Sequence, residues 1–440
     1  MQVINYSKDI INVGDGEIAL WGISGEHKIY CDKGDPEIAS LHEKWRSKKL
    51  DLQPPFQRKY IWDEKKASRL IESVLLRVPL PLFYIAETEN GKEQVIDGQQ
   101  RLTSFFSFID GAFPSGKPFR LSGCTVYPHL NGLSFAELSS DLQDAIRYYN
   151  VRTITVLRES HPDLKFEIFE RINTGSAPLT ETEVRNCVYR GPYLDLIHEF
   201  SNDPTFIQIS RLPGDEMEMR RMDMILRFCA FQHTSYHDYR PPLRQFINHD
   251  LAMYQMISDA DADCLCSTFI RSIENISAVF GKHGFARFIG GKKSDPDGRW
   301  DAYPSLLISD IWMYAFSSLN TSDVITHRDA IYESLVDLMA TDYEFIGSIQ
   351  FDTASHARVV RRFELVQSRI ADILAQEEKM CFSRADKAAL FKENAQCIFC
   401  GKEITDVDDA AIAGIDQYWL ARTEIPTISF AHRYCNRHQN

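Results

Sequence analysis

A chain of 440 residues exceeds what one hydrophobic core usually supports, so two or three domains are expected. Its 44% hydrophobic and 25% charged content is that of a globular protein, and no apolar run reaches the roughly 18 residues that a spanning helix needs. The 49 Lys and Arg against 62 Asp and Glu give a net charge of -13, which argues against a generally DNA-coating protein but leaves room for a local basic groove.

The start, Met1-Gln2-Val3-Ile4-Asn5, has neither a basic nor an apolar leader region, so a cytoplasmic protein is expected. The ten cysteines show no disulfide-scaffold spacing, and the CxxC pair near the end suits a metal in a reducing compartment. Residues 17–23 and 28–31 are short apolar runs that read as a hairpin or an edge addition to a following sheet. Residues 38–48 follow as a short helical pattern with a basic end. Pro54-Pro55 then forbids helix, and Gln57, Arg58 and Lys59 stand together on a loop whose plain reading is a solvated turn. Asp63 caps a helix with the stripe Ala67, Leu70, Ile71, Val74 and Leu75, which Pro79 and Pro81 end. Residues 81–87 and 93–96 read as two strands of a hairpin.

The second strand runs into Asp97-Gly98-Gln99-Gln100-Arg101, after which Leu102, Phe105, Phe106 and Ile109 fall at helical spacing. Asp97 is the expected N-cap, and Gly98 lets the backbone come close to whatever sits above the helix. A helix start carrying Arg101 is a candidate phosphate site, and Asp97 beside an anion would hold a metal ion or orient a water. The spacing further predicts helices over 135–149 and 164–172 and a strand over 151–157. Asn173-Thr174-Gly175 reads as a C-cap, and Thr180 with Glu183 reads as a capping box.

From about 190 to 390 the pattern is helical, with apolar periodicity over 217–231, 243–256, 265–280, 303–319, 330–339 and 356–374. Arg220-Arg221 and the basic run from Arg358 to Arg361-Arg362 are the places to look for DNA phosphate contacts. His233, His237 and His249 have no metal-ligand spacing.

Asp97 to Arg101 resembles the D-G-Q-Q-R motif of the GmrSD-type N-terminal domain, a ParB/sulfiredoxin-like nucleotide-binding fold of modification-dependent restriction and phage-defence proteins. Three more blocks match in order: 52–62, 70–81, and Phe169-Glu170-Arg171-Ile172-Asn173-Thr174-Gly175 with Glu183-Val184-Arg185-Asn186. The resemblance implies an NTP site in which Asp97, Gln99, Gln100 and Arg101 are catalytic. It implies that Gln57, Arg58, Gly98, Arg171, Asn173 and Thr174 line the nucleotide, with Mg²⁺ as its partner ion.

Near the end, Cys397 and Cys400 at x2 spacing and His432 and Cys435 at x2 spacing are the donor set of a tetrahedral Zn²⁺. The segment resembles the HNH, or ββα-metal, endonuclease family, of which Asp416 and Asn436 would be nuclease remnants. It departs from that pattern where water is activated: Ala413-Gly414 or Asp416-Gln417 stands at the Asp-His position, and no Asn lies between Trp419 and His432. The expected architecture is therefore α+β. It comprises a ParB-like domain over 1–190, an all-helical domain over 191–390, and a zinc-bound ββα module over 391–440. The expected function is an antiphage NTPase that senses modified phage DNA and is coupled to a degenerate nuclease; the alternative is a non-cleaving nucleotide-gated clamp on DNA or protein. A second copy of the chain is a further candidate partner.

Overall fold

The computed structural model describes residues 2–5, 28–52, 60–88, 91–160, 162–172, 180–375, 383–413 and 429–438. They pack as two compact units, 1–190 and 191–440. The architecture is mixed α+β, with a sheet in the first unit and a large helical assembly in the second.

In the first unit the strands are β1 (Gln2–Asn5), β2 (Lys28–Gly34), β3 (Leu50–Asp51), β4 (Phe83–Glu87), β5 (Glu93–Asp97) and β6 (Thr153–Val156). They form one mixed sheet in the order β1-β2-β6-β4-β5-β3. Pairing is antiparallel for β1-β2, β2-β6 and β4-β5, and parallel for β4-β6 and β3-β5. Helices α1 (Ile38–Arg46), α2 (Glu64–Leu75), α3 (Gln99–Asp110), α4 (Ser140–Arg147), α5 (Pro162–Ile172) and α6 (Glu181–Val188) complete the unit. Asp63 does cap α2, its Oδ1 accepting from Lys66 N at 2.7 Å. The stripe Ala67, Leu70, Ile71 and Val74 is buried in one core with Phe83, Val95, Leu102, Phe105 and Phe106. The capping box of α6 is present: Thr180 N donates to Glu183 Oε2 at 2.6 Å, and Glu183 N donates to Thr180 Oγ1 at 3.3 Å.

Two local expectations change. The single helix over 135–149 is instead a 3-10 turn at Phe135–Glu137 followed by α4, because Ser134 and Glu137 close a capping box on one turn and Ser139 starts the next helix. The N-cap of α3 is Gly98, not Asp97, because Asp97 remains the last residue of β5 and the chain reverses through a left-handed Gly98 at φ 102°.

The second unit runs α7 (Pro192–Ser201), α8 (Pro204–Ser210), α9 (Glu218–His233), α10 (Leu243–Tyr254), α11 (Asp259–Phe280), β7 (Ala286–Ile289), β8 (Arg299–Pro304) and α12 (Leu306–Ser317). It continues α13 (Thr321–Thr326), α14 (Arg328–Thr341), α15 (Tyr343–Gln350), α16 (His356–Leu374), α17 (Arg384–Glu393), β9 (Ala410–Ile412), β10 (Phe430–His432) and α18 (Arg433–Arg437). Its helices bury aromatic residues, among them Phe200 stacked on Phe269 at 4.2 Å and Trp312 beside Phe280 at 5.4 Å. The region before residue 390 is not entirely helical. β7 and β8 pair antiparallel, with Phe288 opposite Trp300 and their rings 5.2 Å apart edge to face, and this cross-strand contact replaces the helical start expected at Tyr303.

Each basic run has one interior arginine beside exposed ones: Arg220, Arg358 and Arg361 are exposed, whereas Arg221 and Arg362 are not. Arg221 is buried and donates to the carbonyls of Ser201, Leu212 and Gly214, while Arg362 is buried and donates to that of Thr353. Neither guanidinium is available to a DNA backbone on a solvated face. Among the described residues no helix is long and apolar enough to cross a membrane.

Candidate functional site

Two constellations carry chemistry, one in each unit. In the first, Asp97 stands at the C-terminal end of β5 and Gly98 turns the chain into α3. A Cβ on Gly98 would collide with the Phe83 ring, so the turn needs glycine for space as well as for its φ. Arg101 comes back over the turn. Its Nη2 donates to Asp97 Oδ2 at 2.8 Å and to Leu82 O at 3.1 Å, its Nη1 donates to Pro81 O at 2.6 Å, and its guanidinium lies 4.3 Å from the centre of the Phe83 ring. The Arg101 side chain is 11% exposed and that of Asp97 49%. Burial holds the Arg101 pKa below its usual range, and the Asp97 carboxylate offsets part of that cost.

Arg101 is thus a brace joining three segments, and Asp97 is the solvent-facing member of the pair. Gln100 has a positioning role as well, its Oε1 accepting from Ile61 N at 2.9 Å and Trp62 N at 3.3 Å. Ser104 donates to Gln100 O at 2.7 Å and meets Tyr60 Oη at 2.8 Å, so the start of α3 holds the segment leading into α2. Gln99 opens α3. Arg171 lies exposed in the last turn of α5, its Nε 4.0 Å from Glu167. Gln57, Arg58, Asn173 and Thr174 lie outside the described residues.

The second constellation is the end of the chain. Cys397 N donates to Lys402 O and Gly401 N to Cys397 O, both at 2.9 Å, with Gly401 at φ 71°; this tight knuckle aims two thiols the same way. β9 and β10 pair antiparallel and lead into α18, which places His432 at the strand end and Cys435 on the helix. The ligand atoms of Cys397, Cys400, His432 and Cys435 all lie within 4.8 Å of one another. A tetrahedral ion with bonds of about 2.0–2.3 Å draws such atoms to about 3.5 Å, so the four residues fit Zn²⁺ with little movement. His432 is fully buried, its Nδ1 facing Cys400 Sγ at 3.4 Å and its Nε2 on Asp297 Oδ1 at 2.9 Å. A carboxylate on the far ring nitrogen fixes which nitrogen faces the metal.

Sequence spacing gave no hint of Asp297, nor of Asp409, whose buried carboxylate stands with Asp297 and His432 as a second group able to approach a cation. The module has a small core of Ile404, Ala410, Ile412, Phe430 and Ala431, and is bolted to α14 as well. Arg433, fully buried, donates to Glu333 Oε2 at 2.5 Å and Asp408 O at 2.7 Å, and Glu333 Oε1 accepts from Lys387 Nζ at 2.7 Å. His438 docks on α15, its Nε2 meeting Tyr343 Oη at 2.7 Å. Asn436 sits on α18, and Asp416 lies outside the described residues.

Residues 39–190 match the family model for the GmrSD restriction endonuclease, N-terminal domain. That span contains the Asp97 turn and every helix from α2 to α6, a little over a third of the chain. No curated protein matches the chain.

Proposed function

We propose that this chain is an antiphage restriction protein in which a nucleotide-hydrolysing unit senses foreign, modified DNA. The observation that carries the reading is the family match over 39–190 together with the built Asp97–Arg101 turn at its centre. We read 1–190 as the ParB-like sensor, 191–390 as a helical connector and 391–440 as an HNH-like ββα module held by zinc. Bound Mg²⁺ would neutralise the phosphates, with Asp97 as its protein ligand or the orienter of the attacking water. Arg101 keeps the Asp97 carboxylate aimed outward, and Gln99 and Gln100 stand on the first turn of α3, whose positive dipole end favours phosphate. Arg58, Arg171, Asn173 and Thr174 would complete the nucleotide wall.

The test is NTP hydrolysis by the full chain, with and without phage DNA and modified DNA, beside Asp97→Asn. That variant keeps an acceptor for Arg101 while removing the charge. Turnover stimulated by one DNA type and lowered at least about 100-fold in the variant is expected. Absence of turnover with every NTP sinks the reading.

One observation favours a second reading, a non-cleaving clamp that closes on DNA and blocks it. The two histidines after residue 391 are both engaged, His432 between the thiols and Asp297, and His438 on Tyr343, so neither stands ready as a general base. Plasmid nicking with Mg²⁺ or Mn²⁺ separates the two: DNA binding without a cut selects the clamp.

A further inference from the structure

The helical unit contains a cavity of about 260 Å³ into which two buried arginines, Arg227 and Arg362, present their side chains. Arg227 is neutralised: its Nε and Nη2 donate to the two carboxylate oxygens of buried Asp310 at 2.8 and 2.5 Å. Arg362 is not. It is 2% exposed, its Nη1 donates to Thr353 O at 2.6 Å, its Nε has no hydrogen-bond partner, and among the described residues no carboxylate forms an ion pair with it. Two guanidinium groups therefore share one carboxylate, leaving one buried positive charge unmatched. Proteins rarely keep such a charge without a partner, because removing an ion from water costs several kcal/mol. Burial pulls the Arg362 pKa down to about 10, which still leaves it protonated at neutral pH.

The rest of the lining carries no negative charge. Leu243, Leu307 and Val359 bring the first turns of α10, α12 and α16 to the cavity wall. α10 and α16 start without a side-chain cap, although Gln245 N of α10 donates to Pro242 O at 3.0 Å. Tyr239 adds a hydroxyl, at present donated to Ala354 O at 2.8 Å.

We propose that this cavity binds a phosphate group, carried as the free ion or as the end of a nucleoside monophosphate. The volume suits a small anion rather than a whole cofactor, which ordinarily needs about 300–1,000 Å³. The phosphate supplies the negative charge that Arg362 lacks, and the first turns of α10 and α16 at the wall add their partial positive ends. The proposal rests on the second unit alone and is independent of how residues 39–190 work.

The experiment titrates the full chain with inorganic phosphate, and separately with AMP, against chloride at matched ionic strength, by calorimetry and by the shift in unfolding midpoint. The same titrations are run on Arg362→Gln, which removes the charge, and on Leu307→Phe, which fills the cavity and keeps both guanidinium groups. Saturable phosphate binding that weakens at least about ten-fold in each folded variant is the expected result, and Leu307→Phe carries the test if Arg362→Gln does not fold. AMP tighter than phosphate, with the same variant dependence, identifies a nucleotide as the source, and AMP equal or weaker identifies the free ion. No saturable binding of either anion, or binding undiminished in the folded variants, overturns the proposal.

Discussion

Glu72 shows how a single buried carboxylate organises a loop in the first unit. It is 5% exposed and accepts from the backbone N–H groups of Thr125, Val126 and Tyr127 at 3.2, 2.8 and 2.8 Å. Burial alone would raise its pKa, but those bonds and the charge of Arg69 outweigh it, and the carboxyl is held below its ordinary value. A depressed folded pKa contributes stability that is complete above the unfolded value of about 4.3 and is lost as pH falls through the lower folded value. Glu72→Gln is therefore expected to cost about 1–3 kcal/mol at neutral pH and to flatten the loss of stability below about pH 4, measured by denaturant unfolding across pH. An unchanged acid limb in the variant would assign that loss to other carboxylates. Arg101 belongs to the same scale and teaches a different lesson. Its place one turn after Asp97 was evident from the spacing. Its three acceptors were not, because the carbonyls of Pro81 and Leu82 reach it only once β4 and β5 have paired.

At the scale of elements, the C-terminal knuckle, hairpin and helix form a cluster able to hold a metal, whose four donors were legible in the sequence as two x2-spaced pairs. The fifth participant was not, since Asp297 sits in the β7–β8 connection and shares no local pattern with His432. Asp297→Ala is expected to weaken zinc binding by about 10–100-fold while leaving the four donors in place, measured by competition with a chromophoric chelator. Equal affinity would reduce the Asp297 contact to packing. The elements that periodicity identified well are the amphipathic ones, such as α2 and α16, where one face is buried and the pattern is repeated over several turns. It failed where short contacts decide: at the 3-10 turn before α4, at the Gly98 cap, and at β7–β8, where a Phe288–Trp300 pair stabilises strands too short to show alternation.

At the scale of the molecule, residues 391–440 are chemically distinct yet energetically tied to what precedes them. The Arg433 guanidinium and the His432 imidazole are both fully buried against carboxylates outside that segment, Glu333 and Asp297. Breaking a buried pair by removing one partner costs about 3–5 kcal/mol, more than a core of a few small residues supplies. Residues 391–440 expressed alone are thus expected to remain unfolded with zinc present, whereas residues 191–440 fold and bind it. Amide dispersion in proton NMR spectra of the two fragments decides, and a folded short fragment would show that the zinc and its small core suffice.

The Asp297–His432 contact joins positions 135 residues apart in the chain. A metal held by Cys397, Cys400, His432 and Cys435 closes only the short loop between the first and last of those donors, and the Asp297 hydrogen bond is what ties that local cross-link to the β7–β8 connection. In this molecule the ion would act as a local clasp whose hold reaches further through a hydrogen bond. Stripping it would free the knuckle, hairpin and α18 first, and with them the His432–Asp297 and Arg433–Glu333 contacts that anchor this end of the chain to the second unit.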